Sequence, residues 1–258
     1  MQWVTLFKKE ILENWRNKKW IWVPIVMMVI CSMDLISYYF LPEIINAVGG
    51  VPEGAIIEIP DLAPSEVITL SLEQLSLFGV IVIALITMGT IAGERSSGIT
   101  EIILVKPVRY VNYVTSKWVV YVILANISLL IGMVMAWYYT NILYGSLSFG
   151  IVFKIIFFYS LWLTFVLTLS IFFNTIFKSP GLVIAGTMIT IALMSGINMA
   201  IGHKFTWFPN QLSNHIHEMV SSQSIPSELI GTATIIGIVI IVLLYMSILL
   251  FKRKALVK

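Results

Sequence analysis

A chain of 258 residues in which 59% are hydrophobic and only 11% are charged is too apolar for a soluble domain, where roughly a quarter of the residues carry charge. The formal net charge of +3 by itself says little, and we expect no nucleic-acid partner. The single cysteine, Cys31, excludes a disulfide within the chain and a pair of thiolates for a metal ion.

The first predicted element is an amphipathic helix over residues 1–19. Four apolar side chains recur at every fourth position and therefore share one helical face: Trp3, Phe7, Ile11 and Trp15. Charged and polar residues occupy the remaining surface. This pattern is typical of a helix that lies in the membrane interface, where lipid covers its apolar face. Two interpretations stay open: a cationic anchor, or a lever that links a cytoplasmic partner to the first membrane span.

Six apolar stretches follow, each long enough to cross a hydrocarbon core of about 30 Å. We predict spans at residues 20–41, 75–93, 117–143, 151–177, 181–201 and 229–251 within a single transmembrane domain, 1–258. The fifth stretch is the weakest because glycine, serine and asparagine interrupt it, and five spans would place the termini on opposite sides. The predicted fold is an all-α polytopic membrane protein with six transmembrane helices.

Lysine and arginine are distributed unevenly between the predicted loops. With six spans, fourteen of the sixteen fall on the side of the two termini, and the exceptions are Lys154 and Lys204. The opposite loop, 42–74, has no lysine or arginine and six acidic residues. Because cytoplasmic segments of membrane proteins carry the excess of lysine and arginine, we predict a multi-pass protein of the plasma membrane with both termini cytoplasmic.

The segment between the second and third spans, 94–116, is a polar island with an apolar edge. Its isoleucines, Ile99, Ile102 and Ile103, stand beside charged residues. We predict a short helix from Ser97 to about Lys106, ended by Pro107. Because exposed isoleucines need a covering surface, the segment is predicted to bind a protein outside the membrane. The alternative is a solvated connector.

This segment also carries a specific motif. The pattern Glu-Arg-x-x-Gly-x-x-x-x-x-Leu-x-x-Pro-x-x-x-x-x-Tyr-x-x-x-Lys resembles the cytoplasmic segment of ABC-2-type transporter permeases. The matching residues are Glu94, Arg95, Gly98, Leu104, Pro107, Tyr113 and Lys117. The amphipathic N-terminal helix, the six spans and the large segment before the last span are similar in kind. The 42–74 loop departs from the relatives that have a large extracellular domain, because it is too small to form one.

The resemblance implies a permease subunit whose segment 94–116 is the coupling helix, docked on a separate ATP-binding subunit. The residues implied in coupling are Glu94, Arg95, Gly98, Ile99, Glu101, Ile102 and Pro107. Two P-loop ATPases and two permeases, as a homodimer or a heterodimer that meets at spans one and five, would form the transporter among membrane lipids.

No phosphate-binding loop is present in the chain. The pattern Gly-x-x-x-x-Gly-Lys-Ser/Thr does not occur, so ATP phosphates are not bound by that route. We therefore expect a transport subunit that is not itself an enzyme and holds no cofactor. ATP and Mg²⁺ would be bound, and ATP hydrolysed, in the partner chain.

The segment between the fifth and sixth spans, 202–228, contains Pro209, which we predict to open a short helix running to about Val220. His215 and His217 are two positions apart and point in different directions on a helix, so we expect no zinc site. The resemblance implies that this segment is an outer re-entrant cap over the translocation path.

Polar residues inside the spans are few. Asp34 is the only acid within an apolar run, and an ionisable group there is either functional or hydrated from the nearby interface. Asn126, Asn174 and Asn198 are predicted to form hydrogen bonds between helices. These four residues are the candidates for a polar site along a translocation path.

The function that these features favour is a permease subunit of an ABC-2-type exporter, with an amphipathic, peptide or lipid-like substrate. A toxin or antibiotic sensor, or an immunity protein without transport, is the alternative. An intramembrane enzyme is a further alternative, but the spans hold no acid apart from Asp34 and no set of catalytic side chains.

Overall fold

The computed structural model describes residues 2–48, 62–100 and 108–256, and every regular element in these ranges is helical. Six helices are long and apolar enough to cross a membrane, and we number them as spans 1 to 6: Lys19–Tyr39, Pro64–Ser96, Tyr110–Leu143, Phe149–Ile176, Pro180–Ile201 and Ser227–Leu256. The prediction of an all-α membrane protein with six spans is confirmed. Six crossings place both termini at one end of the bundle, which we call the proximal face. The opposite end is the distal face.

Among the described residues, five smaller elements lie outside the spans. The interfacial helix, Gln2–Arg16, precedes span 1, and Leu41–Val48 follows it. On the distal face, 3-10 turns at Gly202–Lys204 and Pro209–Gln211 lead into the distal helix, Leu212–Ser222. The helix that the sequence predicts from Pro209 to about Val220 is thus present.

Span 2 begins at Pro64, so the prediction that residues 64–74 belong to a loop is wrong. The Glu66 carboxylate accepts a hydrogen bond from the backbone N–H of Ala63 at 3.1 Å, which satisfies a donor before the first turn. Val67, Ile68 and Leu72 are fully buried. Polar residues between these apolar positions hid the helix from a search for continuous hydrophobic runs.

Span 3 begins at Tyr110, seven residues before the start predicted at 117. Lys117 had suggested a polar boundary, but it lies inside the helix with 1% of its surface exposed. A lysine that is paired with buried acids does not end a helix, and its partners are described below.

Span 2 is interrupted twice. The first interruption is a π-helical turn at Leu75–Gly79, where the Ser76 hydroxyl lies 3.2 Å from that of Tyr159 in span 4. The second is a turn at residues 88–91, after which the helix resumes as Ala92–Ser96. At both interruptions, polar groups that lose their partners within the helix need other hydrogen-bond partners inside the bundle.

Spans 3 and 4 form the centre of the bundle. Span 1 packs along span 3, and their backbones approach closely at Gly132, where a Cβ atom would lie 2.9 Å from the Met27 carbonyl oxygen. Span 6 packs along span 4, and span 2 packs between spans 1 and 4. Span 5 contacts spans 2 and 4 but is otherwise exposed, and Met199 near its end is 91% exposed.

Candidate functional site

Three residues of the 94–117 motif meet at the proximal end of the bundle. Glu94 lies in the last turns of span 2, and Tyr113 and Lys117 lie one helical turn apart at the start of span 3. Lys117 Nζ is 2.9 Å from Glu94 Oε1, and the Tyr113 hydroxyl donates a hydrogen bond to the other carboxylate oxygen of Glu94. All three side chains are buried. The motif therefore joins two spans through one carboxylate.

The interfacial helix contributes two further charged residues. Glu10 Oε1 lies 2.7 Å from Lys117 Nζ, and Lys9 Nζ lies 2.6 Å from Glu94 Oε1. Lys9 is also 3.0 Å from Glu10 Oε1. Two ammonium groups thus alternate with two carboxylates, and each ammonium contacts both acids. We call Lys9, Glu10, Glu94, Tyr113 and Lys117 the proximal charge cluster.

The charges in this cluster stabilise one another at a site largely shielded from water. Burial lowers the pKa of Lys9, but the nearby carboxylates of Glu10, Glu94 and Glu13 outweigh burial and raise the pKa above its usual value. The contribution of Lys9 to stability is therefore complete at neutral pH and is lost only as the pH rises through the raised pKa. Removing one member of such a pair leaves the other charge buried without compensation.

The buried side of the interfacial helix is polar. Glu10 and Asn14 are one turn apart and buried, and the Asn14 amide donates a hydrogen bond to the Glu10 carbonyl at 2.9 Å. Trp15 is 60% exposed. The sequence pattern did not indicate that Glu10, which lies next to Lys9, would be buried. Its side chain is directed towards Lys117 of span 3, whereas Val4, Leu12 and Trp15 are exposed.

Aromatic residues at the start of the interfacial helix behave as predicted. The rings of Trp3 and Phe7 stack with centroids 5.0 Å apart, as expected for neighbours on one helical face. The indole Nε1–H of Trp3 donates a hydrogen bond to Thr115 Oγ1 at 3.1 Å. A second contact therefore ties this helix to the beginning of span 3.

The end of span 2 is also fixed to the end of span 4. Asn174 Oδ1 accepts hydrogen bonds from the backbone N–H groups of Ile91 and Ala92 at 3.1 and 3.0 Å, and its Nδ2 donates to the Thr87 carbonyl at 3.0 Å. One amide thereby satisfies three backbone groups on the two sides of the turn at 88–91. The prediction that Asn174 bonds between helices is confirmed.

Arg95 strengthens the same connection. Its Nη1 donates a hydrogen bond to the carbonyl oxygen of Thr175 at 3.1 Å, in the last turn of span 4. A cation at this position pairs with carbonyl groups that have no partner within their own helix. Adjacent motif residues therefore have different partners: Glu94 bonds to span 3 and the interfacial helix, and Arg95 bonds to span 4.

The chain turns sharply as it leaves span 2. Ser97 and Gly98 form a turn, and Gly98 has φ = 74°, a conformation that glycine adopts without strain. Helix resumes at Ile99, so the start predicted at Ser97 is wrong. The Thr100 hydroxyl lies 3.4 Å from that of Tyr113. The coupling candidates Glu101, Ile102 and Pro107 lie outside the described residues, as does Leu104 of the motif.

The remaining intramembrane candidates do not form one site. Asp34 is half-buried and accepts a hydrogen bond from Gln74 Nε2 at 2.6 Å. Asn126 donates a hydrogen bond to the Val122 carbonyl of its own helix and not, as predicted, to another helix. Asn198 Oδ1 is buried and has no hydrogen-bond partner among the described residues.

The two acids of the cluster and the nearby Glu13 do not provide an open metal site. Carboxylate oxygens of Glu10, Glu13 and Glu94 lie within 4.8 Å of one another. The ammonium groups of Lys9 and Lys117 already contact these oxygens and occupy the position of a cation. On the distal face, His215 is buried with Nε2 2.8 Å from the Thr206 carbonyl oxygen.

Glu10 and Lys9 were missed as site residues because they lie far from the motif in sequence. The only signal in the sequence was that Glu10 and Asn14 are four residues apart. This spacing puts both on one helical face, as expected of a buried polar face. Tyr113 and Lys117 belonged to the motif but were not selected as coupling residues, although the structure places both beside Glu94.

Comparison with known proteins gives one informative relative. No family model matches the chain. The chain is 32% identical over 198 residues to the uncharacterized transmembrane protein YxlG of Bacillus subtilis (strain 168), an alignment that covers 77% of this chain and 76% of that protein.

Proposed function

We propose that this chain, which belongs to the same family of transmembrane proteins as YxlG, is the permease subunit of an ABC-2-type, ATP-driven transporter. The observation that carries this proposal is the convergence of Glu94, Tyr113 and Lys117 on one buried cluster. All three residues belong to the motif by which the sequence resembles ABC-2 permeases. Their contact gives the motif a physical purpose, which is to hold the two ends of segment 94–116 together.

The geometry suits the transmission of force. Span 2 ends at Ser96 and span 3 begins at Tyr110, and the cluster joins both of these ends to the interfacial helix. Arg95 and Asn174 join the same region to span 4. A partner that pushes on this segment therefore moves span 2, span 3 and the interfacial helix together. A flexible connector would absorb the displacement instead.

In the proposed mechanism the work comes from a separate P-loop ATPase, present in two copies. ATP binding closes the ATPase pair, and the displacement of segment 94–116 favours one of two arrangements of the permease pair. The chain itself binds no nucleotide and performs no covalent chemistry. Ile99, which is 43% exposed beside the turn at Gly98, is available for contact with the partner.

The proposed orientation places both termini in the cytoplasm of a cell whose plasma membrane contains the six spans. It follows from the excess of lysine and arginine on the proximal face. The proposed cargo is an amphipathic, peptide or lipid-like molecule moved outward, because the bundle is apolar and the distal segments are short. The second permease, identical or homologous, would contact this one through the exposed spans 1 and 5.

The experiment that tests the proposal is co-purification. The tagged chain is extracted in mild detergent and its partners are identified by mass spectrometry, for the wild type, Ile99→Asp and Ile225→Asp. Ile225 is a matched control because it is 44% exposed, compared with 43% for Ile99, and lies on the distal face. We expect a P-loop ATPase with the wild type and Ile225→Asp, and its loss with Ile99→Asp.

Two results would contradict the proposal. One is recovery of the wild-type chain without any P-loop protein. The other is an Ile99→Asp variant that retains the ATPase as fully as Ile225→Asp does. Both variants change an exposed isoleucine outside the bundle, so their folding is comparable and can be checked by size-exclusion chromatography.

A further inference from the structure

The segment between spans 5 and 6 forms a cavity of about 360 Å³ on the distal face. Its lining combines a lysine, Lys204, with aromatic side chains that include Trp207 and Phe208, and with Ile235 of span 6. A cavity of this size is within the range that small ligands occupy. The combination of one cation and an aromatic wall is suited to a ligand with an anionic group and an apolar body.

The cavity wall is held in place by specific contacts. Trp207 lies against the backbone of span 6 at Gly231, where a Cβ atom would be 2.9 Å from the indole ring. The Thr206 carbonyl is 2.8 Å from His215 Nε2, and the Asn210 amide donates to Ser195 Oγ at 2.9 Å. The segment is therefore tied to spans 5 and 6 and to the distal helix.

A second cavity adjoins the first. It measures about 250 Å³ and is lined by the end of span 5, including Ile197 and Ile201, and by Phe205 and Phe208. The same two phenylalanines line the first cavity. A charged compartment and an apolar compartment thus share an aromatic wall at the boundary of the membrane.

The charge of Lys204 has no partner among the described residues. Its side chain is exposed, and no acid in the described ranges lies within ion-pair distance of its ammonium group. It is one of two lysines that six spans place on the distal side, whereas residues 42–74 contain six acids and no lysine. An unpaired cation beside an apolar cavity at the membrane boundary is complementary to a lipid phosphate.

We propose that this paired cavity binds an anionic phospholipid of the distal leaflet, with its phosphate at Lys204 and part of an acyl chain against Phe205 and Phe208. The headgroup requires the ammonium, and the chain requires the apolar compartment. Inorganic phosphate satisfies only the first requirement and a zwitterionic lipid offers no net charge. The proposal does not depend on coupling to an ATPase.

The test measures lipid binding to the full-length protein after delipidation in detergent, by native mass spectrometry. Phosphatidylglycerol and phosphatidylcholine with identical acyl chains are compared, with inorganic phosphate as the headgroup-only probe. We expect tighter binding of phosphatidylglycerol, and a loss of about fivefold in its affinity with Lys204→Gln. Lys154→Gln removes the other distal lysine and is expected to bind phosphatidylglycerol as the wild type does.

A second variant addresses the apolar compartment. Phe205 lines both cavities and is 58% exposed, so Phe205→Ser should leave the fold intact. We expect it to weaken the binding of both lipids. Equal losses with Lys204→Gln and Lys154→Gln would overturn the proposal, because they would indicate a diffuse charge effect. Binding of inorganic phosphate as tight as that of phosphatidylglycerol would also overturn it.

Discussion

Lys117 in span 3 and Glu10 in the interfacial helix are 107 positions apart in sequence, yet their Nζ and Oε1 atoms lie 2.7 Å apart with both side chains buried. Glu94 of span 2 contacts the same ammonium at 2.9 Å. One lysine therefore connects three helices. Burying this lysine with two acidic partners costs desolvation free energy. Removing one partner is also destabilising, because it leaves a buried charge without compensation.

The first prediction concerns that lysine. Lys117→Met should lower the free energy of unfolding by about 3 kcal/mol, because the buried carboxylates of Glu10 and Glu94 then have only the partly exposed ammonium of Lys9 to share. The measurement is unfolding of the purified protein in detergent. Lys178→Met is the control, since Lys178 is exposed in the turn between spans 4 and 5. Equal stability of the two variants would show that the ion pairs contribute nothing.

The second prediction concerns the hydroxyl of Tyr113. Tyr113→Phe removes the donor to Glu94 while keeping the ring, and should cost roughly 1.5–3 kcal/mol because the acceptor is charged. The ring stacks on Phe251 of span 6 with centroids 5.0 Å apart, and this contact should persist. Tyr245→Phe, at a position that is 61% exposed, should have no measurable effect on unfolding.

Asn174 provides the third prediction. Asn174→Ala leaves the N–H groups of Ile91 and Ala92 without their acceptor, and each unsatisfied group costs about 1–3 kcal/mol. Hydrogen exchange at these two amides should accelerate. Asn126→Ala is the matched control, because Asn126 bonds only to a carbonyl of its own helix. Unchanged exchange at Ile91 and Ala92 would refute the assigned role.

The fourth prediction concerns the turn after span 2. Gly98→Ala places a side chain at φ = 74°, which costs about 1–2 kcal/mol and favours a different path into Ile99. We expect weaker co-purification of the proposed ATPase partner. Gly93→Ala, in a helical turn with open space around the new methyl group, is expected to retain it. If both variants retain the partner equally, the left-handed turn is not needed for docking.

The number of spans could be predicted from sequence because continuous apolar runs identify them. The ends of the spans could not be predicted where polar residues find ion-pair or hydrogen-bond partners inside the protein. Lys117 had indicated a boundary only because its acidic partners were unknown, and Glu66 and its neighbours concealed the first turns of span 2. Charge alone does not reveal whether a residue faces water or a buried partner.

The three intramembrane asparagines show a similar limit. Asn126, Asn174 and Asn198 have the same chemistry, but only Asn174 lies opposite a turn in another span. That turn is not evident from the apolar sequence around residues 88–91. The role of each amide depends on whether it lies opposite an interruption in a neighbouring helix. For Asn174, the packing of spans 2 and 4 determines this.

The most direct test asks whether the proximal charge cluster transmits movement from the ATPase to the membrane. ATP hydrolysis by the proposed permease–ATPase complex would be measured in lipid nanodiscs for the wild type, Lys9→Gln and Lys8→Gln. Lys9 contacts Glu94, whereas the neighbouring Lys8 is exposed. We predict that Lys9→Gln keeps the ATPase bound but loses severalfold of the hydrolysis that the permease stimulates, while Lys8→Gln retains it. Identical activity of the two variants would contradict coupling through this cluster.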